Sequence, residues 1–74
     1  MKRINAKLEN EKSVVQAIKA WYENHAYGPS YRDLAEMTDV SLGTVFSVCQ
    51  DLRELGIIEF QDNVARTIKL KGNK

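Results

Sequence analysis

The sequence predicts a mainly α-helical domain, three helices closed by a small β-hairpin, and three observations carry that expectation. Apolar residues recur at helical spacing in three separate segments, serines stand at the N-cap positions of two of them, and beyond Gly56 the apolar period changes from 3.6 to two. Two helices joined by a tight turn, the second one longer and followed at once by a hairpin, give the order of a winged helix-turn-helix.

The first helix is expected from Asn10. Val14, Val15, Ile18, Trp21, Tyr22 and His25 fall in one stripe of about 120° at about 100° per residue, the width of a core-facing helix side. Glu9 and Glu11 stand near its start, where acids suit the positive end of the helix dipole. The helix must stop before Pro29, because proline disfavours the α conformation at the preceding Gly28. Ser30 then offers an N-cap, and Asp33 makes a capping-box-like pair with it for a second helix, Tyr31 to Thr38. That helix is expected to bury Leu34, Ala35 and either Met37 or Thr38.

A tight turn from Thr38 to Val40 leads to Ser41, the second N-cap. The third helix is expected from Leu42 to Leu55, with Val45, Val48, Cys49, Leu52 and Leu55 in its core stripe and Gly56 closing it. Ile58 and Phe60 then alternate with Glu59 and Gln61, and Ile68 and Leu70 alternate within 66–70. Two short strands around a polar turn at Asp62 and Asn63 follow, although the turn lacks the Asn-Gly pair that best closes a hairpin.

Seventy-four residues support one core, so a single domain is expected: a basic N-terminal arm over 1–9, helices over about 10–55, a wing over about 57–70 and a basic tail over 71–74. At 43% hydrophobic and 28% charged residues the chain is too apolar for disorder. No apolar run approaches the roughly 20 residues that span a bilayer, and no apolar segment follows Lys2 and Arg3 as a signal peptide requires. Cys49 is the lone cysteine, which excludes an internal disulfide and fits a reducing, cytoplasmic setting. The net charge of +1 is unevenly spread, with +3 over 1–7, −6 over 8–65 and +4 over 66–74. Basic ends therefore flank an acidic middle.

No nucleophile–base pair, glycine-rich phosphate loop or cluster of metal ligands is evident, so neither catalysis nor a cofactor nor a metal site is expected. His25 reads as a helix-end residue and Cys49 as a small buried hydrophobe without a basic neighbour to lower its pKa. Trp21, Tyr22 and Tyr27 read as core or core-edge aromatics.

The stretch HAYGPSYRDLAEMTDVSLGTVFSVCQDLRELGIIEF, with ARTIKL at 65–70, resembles the N-terminal DNA-binding domain of LexA-type SOS repressors. That family carries G-Y-P-P-S, then R-E-I-A, a T-V or A-A pair, L-x-x-L, G-[LVI]-I and a last wing strand R-x-I-x-L. Here stand Tyr27, Pro29 and Ser30, then Arg32, Asp33, Leu34 and Ala35, then Thr44 and Val45. Cys49 and Leu52 occupy the two leucine positions, followed by Gly56, Ile57 and Ile58, then Arg66, Ile68 and Leu70. The match spans about residues 12–70 and rests mostly on turn, cap and core positions, so it implies the fold more strongly than the biological role. Gly28 replaces the first of the two prolines, which is expected to loosen that link, and Cys49 replaces a core leucine. The family's self-cleaving serine–lysine domain has no counterpart here, so autoproteolysis is not expected, and the chain reads as an excised domain or a small stand-alone regulator.

The resemblance implies that Ser41, Gly43, Thr44, Phe46 and Ser47 reach base edges. Gln50 joins them on chemical grounds, because a carboxamide pairs bidentately with adenine, and Phe46 or the Thr44 methyl suits a thymine methyl. The plain alternative is a solvent-facing side whose serines and threonine only cap or fill space. Phe46 lies about 120° from the centre of the core stripe, and an exposed Phe calls for a thymine, a protein partner or a satellite contact with the second helix. Phosphate contacts are expected from Lys2, Arg3, Lys7, Arg32, Arg53, Arg66 and Lys69, with N–H donors at the helix N-termini of Ser30 and Ser41. Asp39 and Asp51 oppose such contacts.

Together these residues imply sequence-specific binding of double-stranded DNA by a transcriptional regulator, a repressor of bacterial or phage origin, as a homodimer on a two-fold site. The alternative is a winged-helix protein-interaction module, or an accessory factor in replication, recombination or transcription, with a protein partner docked through Phe46. No membrane is expected among its partners.

Overall fold

The computed structural model describes residues 4–62, 64 and 66–71, with side chains from Leu8 onward. Three helices, α1 (Ile4–Asn24), α2 (Tyr31–Thr38) and α3 (Leu42–Glu54), precede strands β1 (Ile58–Glu59) and β2 (Lys69–Leu70). The strands pair antiparallel, Ile58 with Leu70 and Glu59 with Lys69, so the chain is a winged helix-turn-helix. Expectations for Lys2, Arg3, the Lys7 side chain, Asn63 and residues 72–74 fall outside the described residues. No helix among the described residues is long and apolar enough to cross a membrane.

Helix α1 begins well before the expected Asn10. Ala6, Lys7, Leu8 and Glu9 are strong helix formers, and lengthening an existing helix needs no new nucleus. Residues 4–9 are therefore helix rather than arm, and Glu9 and Glu11 lie beyond the first turn, where the dipole offers them little.

The caps follow the sequence closely. Ser30 Oγ accepts the Asp33 N–H at 3.0 Å, and Asp33 Oδ2 accepts the Ser30 N–H at 3.0 Å, a complete capping box. At the far end of α2, Asp39 adopts a left-handed backbone (φ 61°) that turns the chain towards α3. Ser41 caps α3 by accepting the Thr44 N–H. Gly56 ends it at φ 80°, with the Gly56 N–H bonded to the Arg53 carbonyl and the Ile57 N–H to the Leu52 carbonyl, a Schellman motif.

Val14, Ala17 and Ile18 of α1, Leu34 of α2, and Val45, Val48, Cys49 and Leu52 of α3 form the core with Ile58, Phe60 and Ile68. Leu55, expected in the stripe, is 64% exposed. It stands at the C-cap, where the chain reverses at Gly56, and Ile58 is the next apolar side chain to enter the core. Met37 is exposed, whereas Thr38 is half-buried and its hydroxyl donates to the Leu34 carbonyl at 2.7 Å. The distal half of the α1 stripe also leaves the core. Tyr22 and Tyr27 are exposed, and Trp21 and His25 are half-buried. These aromatics support the wing instead.

Gly28 makes that support possible. A Cβ there would lie 2.5 Å from the Ile68 carbonyl oxygen and 2.9 Å from Tyr22 Oη, and Tyr22 itself donates to the Ile68 carbonyl at 2.7 Å. Rather than loosening the link, the glycine lets the backbone of residues 66–68 close onto it.

The ladder is shorter than the alternation suggests. Arg66 takes a left-handed backbone (φ 62°), which breaks the extended run, and Thr67 organises the wing tip in its place. Its hydroxyl accepts the Gln61 N–H at 2.9 Å and donates to the Val64 carbonyl at 3.1 Å.

Replacing Gly28 with Ala is expected to destabilise the fold by about 1–3 kcal/mol. Gly43→Ala meets nothing within 4 Å and should stabilise it by about 0.5 kcal/mol. Urea denaturation of the two variants checks the contrast, and equal stabilities would contradict the close approach at Gly28.

Candidate nucleic-acid interface

Ser41 and the first two turns of α3 present an uncharged surface. Gly43, Phe46 and Ser47 are exposed, Thr44 and Gln50 are half-buried, and the opposite side of the helix holds Val45, Val48, Cys49 and Leu52 in the core. Ser41 and Thr44 are engaged with each other: Ser41 Oγ accepts the Thr44 N–H at 3.3 Å and donates to Thr44 Oγ1 at 2.9 Å. Each hydroxyl keeps acceptor capacity, and the Thr44 hydroxyl keeps its proton. The hydroxyl of the exposed Ser47 makes no hydrogen bond among the described residues.

Phe46 is 49% exposed, yet it has a neighbour. Its ring meets Tyr31 of α2 edge to face at 5.2 Å, and Tyr31 in turn meets Phe60 at 6.0 Å. The satellite contact with the second helix is therefore present, and half the ring still faces outward. A groove of about 650 Å³ runs from Phe46 and Tyr31 to the wing residues Asp62, Val64 and Thr67, so α3 and the wing share one side of the molecule. Burial, above all, raises the pKa of the Tyr31 phenol.

Of the four expected phosphate-binding cations whose side chains are described, three are taken up by the protein itself. Arg53 Nη1 donates to Asp62 Oδ1 at 3.1 Å and to the Phe60 carbonyl at 3.3 Å, with the guanidinium 4.3 Å from the Phe60 ring centre. Arg66 Nη1 donates to Asp33 Oδ2 at 3.0 Å and to the Gly28 carbonyl at 3.3 Å, with Tyr27 and Trp21 rings at 5.1 and 5.9 Å. Lys69 faces Glu59 across the ladder at 3.5 Å. Arg32 is exposed and forms no ion pair with a described residue.

The helix N-termini divide in the same way. At Ser30 the N–H is already bonded to the Asp33 carboxylate, a competitor for any phosphate. At Ser41 the cap is a neutral hydroxyl. The Asp33 carboxyl is held below its ordinary 3.8, first by the Ser30 backbone N–H and then by the Ser30 hydroxyl and the Arg66 guanidinium.

Two other polar groups are structural. His25 Nδ1–H donates to the Trp21 carbonyl at 3.0 Å while its ring stacks on Trp21 at 3.8 Å, closing the end of α1. Trp21 Nε1–H donates to the Tyr27 carbonyl at 2.6 Å. Cys49 is fully buried, and its thiol is pushed up to about 11 by desolvation. Among the described residues no group of three or more His, Cys, Asp or Glu is placed to hold a metal ion.

Sequence reasoning found the capping box of Asp33 but missed its ion pair with Arg66, the roles of Asp62 and Gly28, and the wall that Tyr31 and Phe60 give to the groove. Of the contacts missed, the one between Gln50 and Arg53 carried a local signal, a spacing of three on one helix face. Compared with protein-family models and with curated proteins, the chain matches none.

Asp33→Asn should lower stability by about 1 kcal/mol at neutral pH. A depressed carboxylate stabilises the fold above its unfolded pKa, and that contribution is lost as pH falls through the folded value. The gap between wild type and variant in urea melts should therefore close below pH 3.8. A gap unchanged at about pH 2 would remove the charge from this account. Cys49 should react with a thiol reagent such as 5,5′-dithiobis(2-nitrobenzoate) only on unfolding, at rates that rise with urea. Prompt labelling of the native chain would place the thiol outside the core.

Proposed function

We propose that this chain binds double-stranded DNA in a sequence-specific manner and regulates transcription, as a repressor of bacterial or phage origin that occludes a promoter. The observation that carries the reading is the outer face of α3 between Ser41 and Gln50, which offers hydroxyl, carboxamide and apolar groups with no charge. Such groups match the donors, acceptors and methyl of the major groove. The wing lies on the same side of the molecule, and the resemblance of residues 12–70 to LexA-type DNA-binding domains supports the same role. The activity is binding without catalysis, in the cytoplasm.

Affinity in this reading is modest. With Arg53, Arg66 and Lys69 paired internally, anchoring falls to Arg32, the Ser41 helix N-terminus and the basic chain ends. About three to five phosphate contacts give a logarithmic salt slope near −3 to −4. Useful occupancy then calls for two copies on half-sites about one helical turn apart.

A protein-binding winged helix is the second reading, favoured by the half-exposed Phe46 and Val64 on the groove. Selection from a random duplex pool at low and moderate salt separates the two. A recovered consensus is expected, with Thr44→Ala and Ser47→Ala each blurring one position and Arg32→Ala weakening every sequence alike. No enriched sequence at either salt would retire the DNA reading in favour of a protein partner.

A further inference from the structure

Arg53 lies one turn beyond Gln50 on α3. Its Nη2–H donates to Gln50 Oε1 at 3.2 Å, while Nη1 is braced by the Phe60 carbonyl and Asp62 and the plane rests on the Phe60 ring. A guanidinium has only donors, so the carboxamide must turn its oxygen towards Arg53. The Gln50 amide N–H groups are left without a partner among the described residues.

Bidentate pairing with adenine needs both ends of the carboxamide, with N–H donated to N7 and oxygen accepting from the N6 amino group. Here the oxygen is engaged, and its remaining lone pair lies beside the positive hydrogens of the guanidinium, which repel an approaching amino group. Guanine offers two adjacent acceptors, N7 and O6, while cytosine offers only a donor. Resting on the reading of α3 as the base-contacting helix, we infer that Arg53 is a specificity-determining positioning residue: it makes Gln50 a donor-only reader that selects guanine rather than adenine. Because Asp62 and Phe60 hold Arg53, the wing takes part in that choice without touching the base.

The test uses the full chain in two arms. In the free protein, the Gln50 side-chain amide resonances should shift in Arg53→Met, which keeps an apolar stem over Phe60 but removes the donors. In pool selection, the base pair that Gln50→Ala blurs should be G·C for wild type, and Arg53→Met should move it towards adenine by about tenfold. Gln50→Glu, a near-isosteric change that retains the Arg53 contact, should lose the guanine and favour cytosine, whose amino group a carboxylate accepts. This variant decides the matter if Arg53→Met does not fold.

Guanine retained by Arg53→Met or by Gln50→Glu overturns the inference while leaving DNA binding intact. Unmoved Gln50 resonances overturn it whatever the DNA result. If wild type enriches no sequence, the DNA reading fails and the base choice fails with it, even where the resonances show the contact to be present.

Discussion

The Asp33 carboxylate is the constraint on which the arrangement of the wing depends. One oxygen receives both the Ser30 N–H that starts α2 and the Arg66 guanidinium from the returning arm of the hairpin. Arg66 also reaches the Gly28 carbonyl and lies over the Tyr27 and Trp21 rings, so the link between α1 and α2 becomes the seat of the wing. A two-residue ladder is too short to hold a hairpin in place by itself. Side-chain clasps supply the rest, at Asp33 on one side of the wing and at Arg53 with Asp62 on the other.

These clasps shape what the surface offers a ligand. Three of the cations best placed by sequence for phosphate are engaged with acids of the same chain, at 3.0, 3.1 and 3.5 Å. The outer face of α3 between Ser41 and Gln50 is neutral, and its chemistry is directional hydrogen bonding with one half-exposed aromatic ring. A helix of this kind discriminates between partners better than it attracts them, since charge sets attraction and geometry sets choice. The want of Lys and Arg between Asp39 and Leu52 thus leaves this face without cations of its own, and under the proposed DNA-binding role its anchors would lie elsewhere.

Much of the fold was legible because its causes are local. Apolar spacing gave the three helices, Ser30 with Asp33 and Ser41 gave the starts of α2 and α3, and Gly56 gave the end of α3, all through contacts within a few residues. Two errors were local, the early start of α1 and the exposure of Leu55, and the others arose where a neighbour distant in sequence decided the outcome. Leu55 fits the α3 stripe but meets the reversal at Gly56, and Tyr22 fits the α1 stripe but turns its hydroxyl to the carbonyl of Ile68. Gly28 looked like a weakened proline link until the backbone of residues 66–68 was seen lying against it.

The candidate site divides along the same line. By itself the sequence determined which groups stand on the outer side of α3, because helical periodicity assigns each side chain a direction. Only the tertiary structure decided which of them are already engaged. Arg53, Arg66 and Lys69 read as free cations in one dimension, and Gln50 as a carboxamide with both ends open. Folding brings Asp62, Asp33 and Glu59 to the cations and a guanidinium to the carboxamide oxygen, across separations that no local pattern encodes apart from the spacing of three from Gln50 to Arg53. Hydrogen bonds and ion pairs act over a few ångströms in space, so partners from distant parts of the chain remain hidden until the fold sets them side by side.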